Sequence, residues 1–341
     1  MTFLVRWAPW MLFVGLLASC GRSKETSLGE YFKTEEGPVR TAGIKMIPVQ
    51  TPKGTFRVWT KRVGNNPRIK LLLLHGGPAA THEYFECFES FLPLESIEFI
   101  YYDQLGSAYS DQPKDPDLWT VERFVEEVEQ VRSALGLARD NFYLLGHSWG
   151  GILAIEYALK YQDRLKGLII SNMMASAPDY DAYAQNVLAK QMDPAVLEEI
   201  RKLEAAGDFG NPRYMELLLP NYYNQHICRL PEWPDPVNRA FARMNHQVYV
   251  LMQGPSEFGI SGRLEDWNRK ADLAKIFVPT LVIGARYDTM DPEHMEWMSQ
   301  QLPDGRYLFC PNGSHMSMWD DQETYMDGLI EFLKSVDAGR K

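Results

Sequence analysis

The chain has 341 residues, 45% hydrophobic and 23% charged, which places it among ordinary globular proteins long enough to bury one large core. Its formal net charge of −10 argues against a nucleic-acid partner, because binding phosphates needs a cationic surface. The acidic balance suits a cationic or neutral small substrate, but it reads first as a merely solvated surface.

The N-terminus differs from everything after it. Arg6 is the only charge in the first twenty residues, Met11 to Leu17 is apolar, and the small residues Ala18 and Ser19 precede Cys20. A charged start, an apolar centre and small residues before a cleavage point describe a secretory signal over residues 1–19. The apolar run, broken by Pro9, is too short for a comfortable membrane span of ~20 residues. Leu17-Ala18-Ser19-Cys20 resembles the lipobox of bacterial lipoproteins, which implies lipidation at Cys20. The expected location is then outside the cytoplasm, lipid-anchored to a bacterial membrane and facing the periplasm or exterior, with no other membrane contact. Residues 20–43 read as a polar linker. Cys87, Cys228 and Cys310 are far apart and show no metal-ligand spacing, so no metal site and no cofactor are expected. Export permits one disulfide without indicating the pair.

From Thr55 onward, strand-like and helix-like segments alternate. Strands are expected at Phe56 to Val63, Ile69 to Leu74, Ile97 to Tyr102, Phe142 to Leu145, Leu168 to Ile170, Thr280 to Ile283 and Tyr307 to Phe309. Apolar runs of this kind, bounded by Gly, Pro and Asp, suit a parallel sheet covered on both faces. Helical patterns lie at Val121 to Leu135, Gly151 to Tyr161, Pro292 to Gln301 and Gln322 to Val336. The alternation predicts an α/β class, doubly wound and mostly parallel, with its core over 44–174 and 268–337. Residues 175–267 break the rhythm. They are helical in flavour (Pro194 to Ala206, Val237 to Met252), rich in Tyr, Met, Trp and Pro, and read as a helical cap inserted between late strands, over the carboxyl ends where such sheets bind ligands.

Gly146-His147-Ser148-Trp149-Gly150 matches G-x-S-x-G, with an apolar strand before it and a helix opening after it. In that context the motif predicts the nucleophile turn of the α/β-hydrolase fold, with Ser148 as nucleophile. A serine hydroxyl needs a base, and the base an orienting acid, in the chain order Ser, acid, His. Two late strands run into Asp288 and His315, which brings both to the edge that carries Ser148. Asp291 is read instead as the cap of the helix beginning at Pro292. His147, His226, His246 and His294 do not follow a late strand. The oxyanion needs two backbone donors, expected from Trp149 and from Gly77 in the loop His75-Gly76-Gly77-Pro78. His75 is read as a support for that loop.

These pieces resemble the proline iminopeptidase family, with the tricorn-interacting aminopeptidase branch in particular. The matching residues are His75 to Pro78, Asp103-Gln104-Leu105-Gly106 with Ser110, Gly146 to Gly151, Gln253-Gly254-Pro255-Ser256-Glu257-Phe258, and Ser314-His315-Met316-Ser317-Met318-Trp319. The resemblance covers about Ile44 to Phe332. It implies a serine aminopeptidase releasing an N-terminal residue, proline or another small or hydrophobic one, from a short peptide or aminoacyl amide. It also implies that cap carboxylates grip the substrate's α-ammonium. Glu257 occupies the matching position, and a buried ammonium does need a paired carboxylate. Glu232 and Glu216 are candidates for a second one. The family's HGGPG is HGGPA here, and its second DQ-loop glycine is Ala108, so these loops are expected to differ slightly. A lipid-anchored esterase, lactonase or amino-acid amidase would keep the same triad.

Overall fold

A computed structural model describes residues 42–340; the leader and Cys20 lie outside the described residues. Eight strands form one sheet: β1 (Ile44–Thr51), β2 (Gly54–Val63), β3 (Lys70–Leu74), β4 (Glu98–Asp103), β5 (Phe142–His147), β6 (Gly167–Ser171), β7 (Thr280–Ala285) and β8 (Gly305–Cys310). The strand order is β1-β2-β4-β3-β5-β6-β7-β8. The first two pairings, β1 with β2 and β2 with β4, are antiparallel, and the rest are parallel. Strand β1 was not expected from the sequence: Pro48 and alternating exposure give it no continuous apolar run, and it is an edge strand held by β2.

The helices of the open sheet are α1 (Val121–Ala134) and α2 (Trp149–Tyr161). Between β6 and β7 come α3 (Ala177–Tyr183), α4 (Pro194–Ala205), α5 (Pro212–Leu218), α6 (Asp235–Ala242) and α7 (His246–Met252), and after β7 come α8 (Pro292–Gln301) and α9 (Gln322–Asp337). The period-two alternation of buried strands separates two cores. Leu72, Leu74, Phe142 and Leu144 face one side and pack with Phe124, Val128, Ile152 and Met295 of α1, α2 and α8. Leu71, Leu73, Tyr143 and Leu145 face the other and pack with α9 and the turn His82–Ser90. A fully buried Leu or Phe on either face contributes about 1.5–3 kcal/mol relative to exposure.

The segment between β6 and β7 is helical, with a single isolated bridge, Ser176 to Asn268. The helix expected over Val237 to Met252 is two helices. Asn245 caps α7 by accepting from the Val248 amide, and a side chain that caps a new helix ends the old one. Among the described residues, no helix is long and apolar enough to cross a membrane. Cys87, Cys228 and Cys310 are free and buried.

Candidate active site

Ser148 sits on the turn between β5 and α2 with φ 56° and ψ −128°. Such a backbone costs about 1–3 kcal/mol and persists only where the surroundings enforce it. Here they do. The Ser148 amide donates to the Ser171 carbonyl at 3.0 Å, and its own carbonyl accepts from Gly151 at 2.6 Å. A Cβ on Gly146 would lie 1.9 Å from the Gly150 oxygen, and one on Gly150 would lie 2.1 Å from the Leu74 oxygen. Only glycine lets the turn close against β3, which leaves the serine at the amino end of α2, where the helix dipole favours developing negative charge.

Asp288 follows β7 and His315 follows β8, so both reach the carboxyl edge of the sheet. His315 Nδ1 donates to Asp288 Oδ1 at 2.8 Å. The same oxygen accepts from the Met290 amide at 3.2 Å, and Oδ2 accepts from Asn172 Nδ2 at 2.7 Å. Burial works against the imidazolium of His315, but the Asp288 carboxylate, its hydrogen bond and the charge of Glu257 outweigh it and hold the pKa above the ordinary histidine value. His315 Nε2 is buried with no hydrogen-bond partner among the described residues. It belongs to the pocket that Ser148 also lines. Hydrogen bonds between catalytic groups commonly tighten only in the substrate complex.

The loop after β3 supplies the opposite wall. The Gly76 amide donates to the Tyr84 hydroxyl at 2.5 Å, which in turn donates to His147 Nδ1 at 3.1 Å. His147 Nε2 donates to the His315 carbonyl at 2.8 Å, and this fixes the direction of the whole chain of bonds. Burial and the neighbouring His315 push the pKa of His147 far down, so the ring is neutral, as this pattern requires. The Gly76 amide is therefore occupied. The amides of Gly77 and Trp149 make no hydrogen bond to another described residue; Gly77 lines the same pocket as Ser148, and Trp149 directly follows Ser148. Gly77 has φ +109°, and a Cβ there would lie 2.6 Å from the Ala80 nitrogen.

His75 is a loop support. Its Nδ1 donates to the Gly76 carbonyl at 2.9 Å, and its Nε2 accepts from the Gln104 amide at 3.1 Å. Burial lowers its pKa to about 4. Gln104 also donates to the His75 carbonyl at 2.9 Å and accepts from the Trp149 indole at 2.8 Å, so the DQ loop braces both the loop His75 to Pro78 and the residue after Ser148. Ala79 and Ala108 nonetheless take positive φ, 62° and 29°, so the backbone keeps turns that glycine would adopt more cheaply.

The cap places one carboxylate in this pocket. Glu257 is buried and lines it together with Ser148, His315, Gly77 and Tyr84. Glu257 Oε1 accepts from the Tyr249 hydroxyl at 2.7 Å, the Glu257 amide donates to the Tyr223 hydroxyl at 3.0 Å, and the Glu257 carbonyl accepts from the Tyr180 hydroxyl at 2.6 Å. Burial raises its pKa, partly offset by His315 and Tyr249. Glu232 and Glu216 are not brought here. Glu232 is exposed in a turn whose Trp233 indole bonds inward to the Cys228 carbonyl, and Glu216 is 63% exposed beside Arg213 on the outer face of α5. Sequence reasoning also missed Tyr84, Ala240, Phe241 and Met244, which line the pocket. His226 contributes a carbonyl to the His315 amide at 2.9 Å, His246 is exposed, and His294 lies on α8.

Comparison with known proteins decides the family. The α/β-hydrolase family pattern matches residues 70–322. Proline iminopeptidase of Flavobacterium johnsoniae is 65% identical over 291 residues, covering 85% of this chain and 98% of the relative. The chain belongs to the proline iminopeptidase family. The enzyme of that name from Elizabethkingia meningoseptica is 64% identical over 295 residues, 86% of this chain and 99% of the relative. Among solved structures, the proline iminopeptidase of Mycobacterium smegmatis superposes with a TM-score of 0.78 at 29% identity, covering 87% of this chain and 99% of that one. VinJ superposes with a TM-score of 0.80 at 31% identity, covering 86% and 99%. The protein is thus an α/β hydrolase with the activity class of a serine aminopeptidase.

Proposed function

We propose that the enzyme releases an N-terminal residue, proline or another small or hydrophobic one, from short peptides or aminoacyl amides through an acyl-enzyme. The observation that carries this reading is the buried Glu257 carboxylate, on the wall of the pocket shared by Ser148 and His315. A generic esterase has no use for a buried anion there, whereas a substrate with a free α-ammonium needs one on losing its water. Ser148 Oγ attacks the first carbonyl carbon while His315 Nε2 takes its proton, and Asp288 holds the ring and stabilises the imidazolium. The amides of Gly77 and Trp149 receive the oxyanion. As the C–N bond breaks, His315 returns the proton to the departing amine. Water then cleaves the ester by the same steps.

Three substrates test the assignment: a prolyl arylamide, its N-acetylated form and a small neutral ester. The Glu257→Gln enzyme should lose roughly 30- to several-thousand-fold in kcat/KM on the free amine, the ~2–5 kcal/mol typical of a broken desolvated charge pair. The neutral ester should be nearly untouched, and the acetylated arylamide should be poor for both enzymes. Equal losses on ester and free amine would reduce Glu257 to a support of the cap.

The leader supports a further reading: the mature enzyme is exported and held to a bacterial membrane by lipid on Cys20. Full-length protein made in a bacterial host should incorporate labelled palmitate and partition with membranes, and Cys20→Ser should abolish both. Undiminished labelling of that variant would rule the anchor out.

A further inference from the structure

The motif Ser171-Asn172, at the carboxyl end of β6, belongs to none of the roles above, yet Asn172 is fully buried beneath the triad. Its φ of 53° lies in the left-handed region, where Asn is one of the few tolerated side chains. All the hydrogen-bonding capacity of its amide is used. Oδ1 accepts from Ser171 Oγ at 2.8 Å and Ser317 Oγ at 3.1 Å. Nδ2 donates to Asp288 Oδ2 at 2.7 Å and to the Ser314 carbonyl at 3.3 Å. A carboxylate and a carbonyl, which can only accept, fix which end of the amide carries the hydrogens. One planar group therefore bonds the carboxylate of the acid and the peptide immediately before His315.

We propose that Asn172 is the positioning residue that holds Asp288 and His315 in register. The acid and the base sit on separate loops, after β7 and after β8, and strand pairing stops short of both side chains. Without the amide, the Asp288 oxygen opposite His315 has no other donor among the described residues, and the carboxylate is free to turn. An ionised aspartate at this point cannot substitute, because an ionised carboxylate accepts and never donates. This inference rests on the triad assigned above.

Two substitutions test it. Asn172→Gly keeps a positive φ at no steric cost and removes the amide. It should lower kcat about 10- to 100-fold, the usual effect of losing a group that orients a catalytic one, with KM little changed and with equal losses on arylamide and neutral ester. Asn172→Asp preserves the shape. The new carboxyl faces Asp288 across a buried contact, with His315, Glu257, Asp320 (bonded to Ser314) and the Cys310 thiol as the other titratable groups near the pair and the Tyr325 hydroxyl behind Ser171. Like charges this close keep a proton well above the ordinary carboxylate range. The protonated carboxyl donates to Asp288 much as the amide did. Relative to wild type, Asn172→Asp should therefore be most active at acid pH and lose a further tenfold or so as pH rises and that proton leaves, while Asn172→Gly keeps a constant ratio. A flat ratio for both variants, or wild-type kcat in Asn172→Gly, would overturn the proposal. If the glycine variant does not fold, the pH trend of the isosteric variant decides alone. Normal turnover in His315→Ala would instead remove the triad, a failure separable from that of Asn172.

Discussion

Among the described residues, two aspartate–histidine pairs have a 2.8 Å contact from the histidine Nδ1 to a fully buried carboxylate, His315 to Asp288 and His82 to Asp103. By that distance alone they are indistinguishable. Their surroundings differ. Asp103 also accepts the backbone amides of His82 at 3.0 Å and Tyr109 at 3.3 Å, and the His82 ring is packed by Trp59, Tyr101 and Tyr109 at centroid separations of 4.5, 5.1 and 6.0 Å. His82 is thus clamped in place, tying the turn after the oxyanion loop to the end of β4. His315 instead keeps its far nitrogen unpartnered on the pocket wall beside the nucleophile. An acid–base dyad becomes catalytic through what its outer nitrogen faces, and the carboxylate contact is common to both roles.

The sharpest way to break this comparison is to make the same isosteric change in each pair. Asp288→Asn should lower kcat by roughly 10⁴-fold, because the amide cannot hold the required tautomer or stabilise the imidazolium. Asp103→Asn should leave turnover within a few-fold and instead lower unfolding free energy by about 1–3 kcal/mol, the cost of an imperfectly satisfied buried polar group. Steady-state kinetics and urea unfolding on both variants separate the outcomes. A catalytic collapse in Asp103→Asn would show that the clamped pair belongs to the chemistry.

A smaller effect is expected in the pH profile. His315 must be neutral to take the serine proton, and its pKa is raised, so activity should fall as pH drops through a value above that of ordinary histidine. Glu257 must be ionised to hold the substrate ammonium, and burial raises its pKa too. A free aminoacyl arylamide therefore needs two groups deprotonated and a neutral ester needs one. The acid limb of log kcat/KM should be steeper for the arylamide, and Glu257→Gln should remove the difference. Parallel limbs would show that Glu257 does not act through its charge.

The smallest effects are expected at the two left-handed alanines. Ala79→Gly and Ala108→Gly each relieve about 1 kcal/mol of backbone strain in the folded state, against a gain of chain entropy in the unfolded one. Thermal midpoints should rise slightly or stay level. A clear loss of stability would mean that the methyl groups pack well enough to outweigh the strain.

What the sequence makes legible here follows from how local each signal is. The turn at Ser148 is written in adjacent letters, since Gly146 and Gly150 meet β3 and each other whatever the rest of the chain does. Asp288 and His315 are legible because each directly follows an apolar strand. The cap is harder. Its helices are short, and two continue into wide π-type turns at Ala184–Leu188 and Leu219–Tyr223, where packing overrides helical periodicity. Periodicity therefore cannot tell whether Glu232 or Glu216 supplies a second carboxylate, and the structure leaves both exposed, Glu232 in the turn around Trp233. Asn172 and Tyr84 escaped for a different reason. Each acts through a bond to a residue far along the chain, to Asp288 and to His147, and no spacing rule announces such a partner.

The three buried thiols have a practical consequence. Burial pushes Cys228 up to about 12 and moves Cys87 and Cys310 above their ordinary range as well, so at neutral pH almost no thiolate is present to meet an alkylating reagent or an oxidant. Maleimide labelling of these three buried thiols in the folded domain is therefore expected to be slow. A single cysteine introduced on the outer face of the cap, at exposed Met215 for example, would carry a fluorophore alone among the described residues, giving a site-specific reporter of cap movement during turnover without first removing the native cysteines.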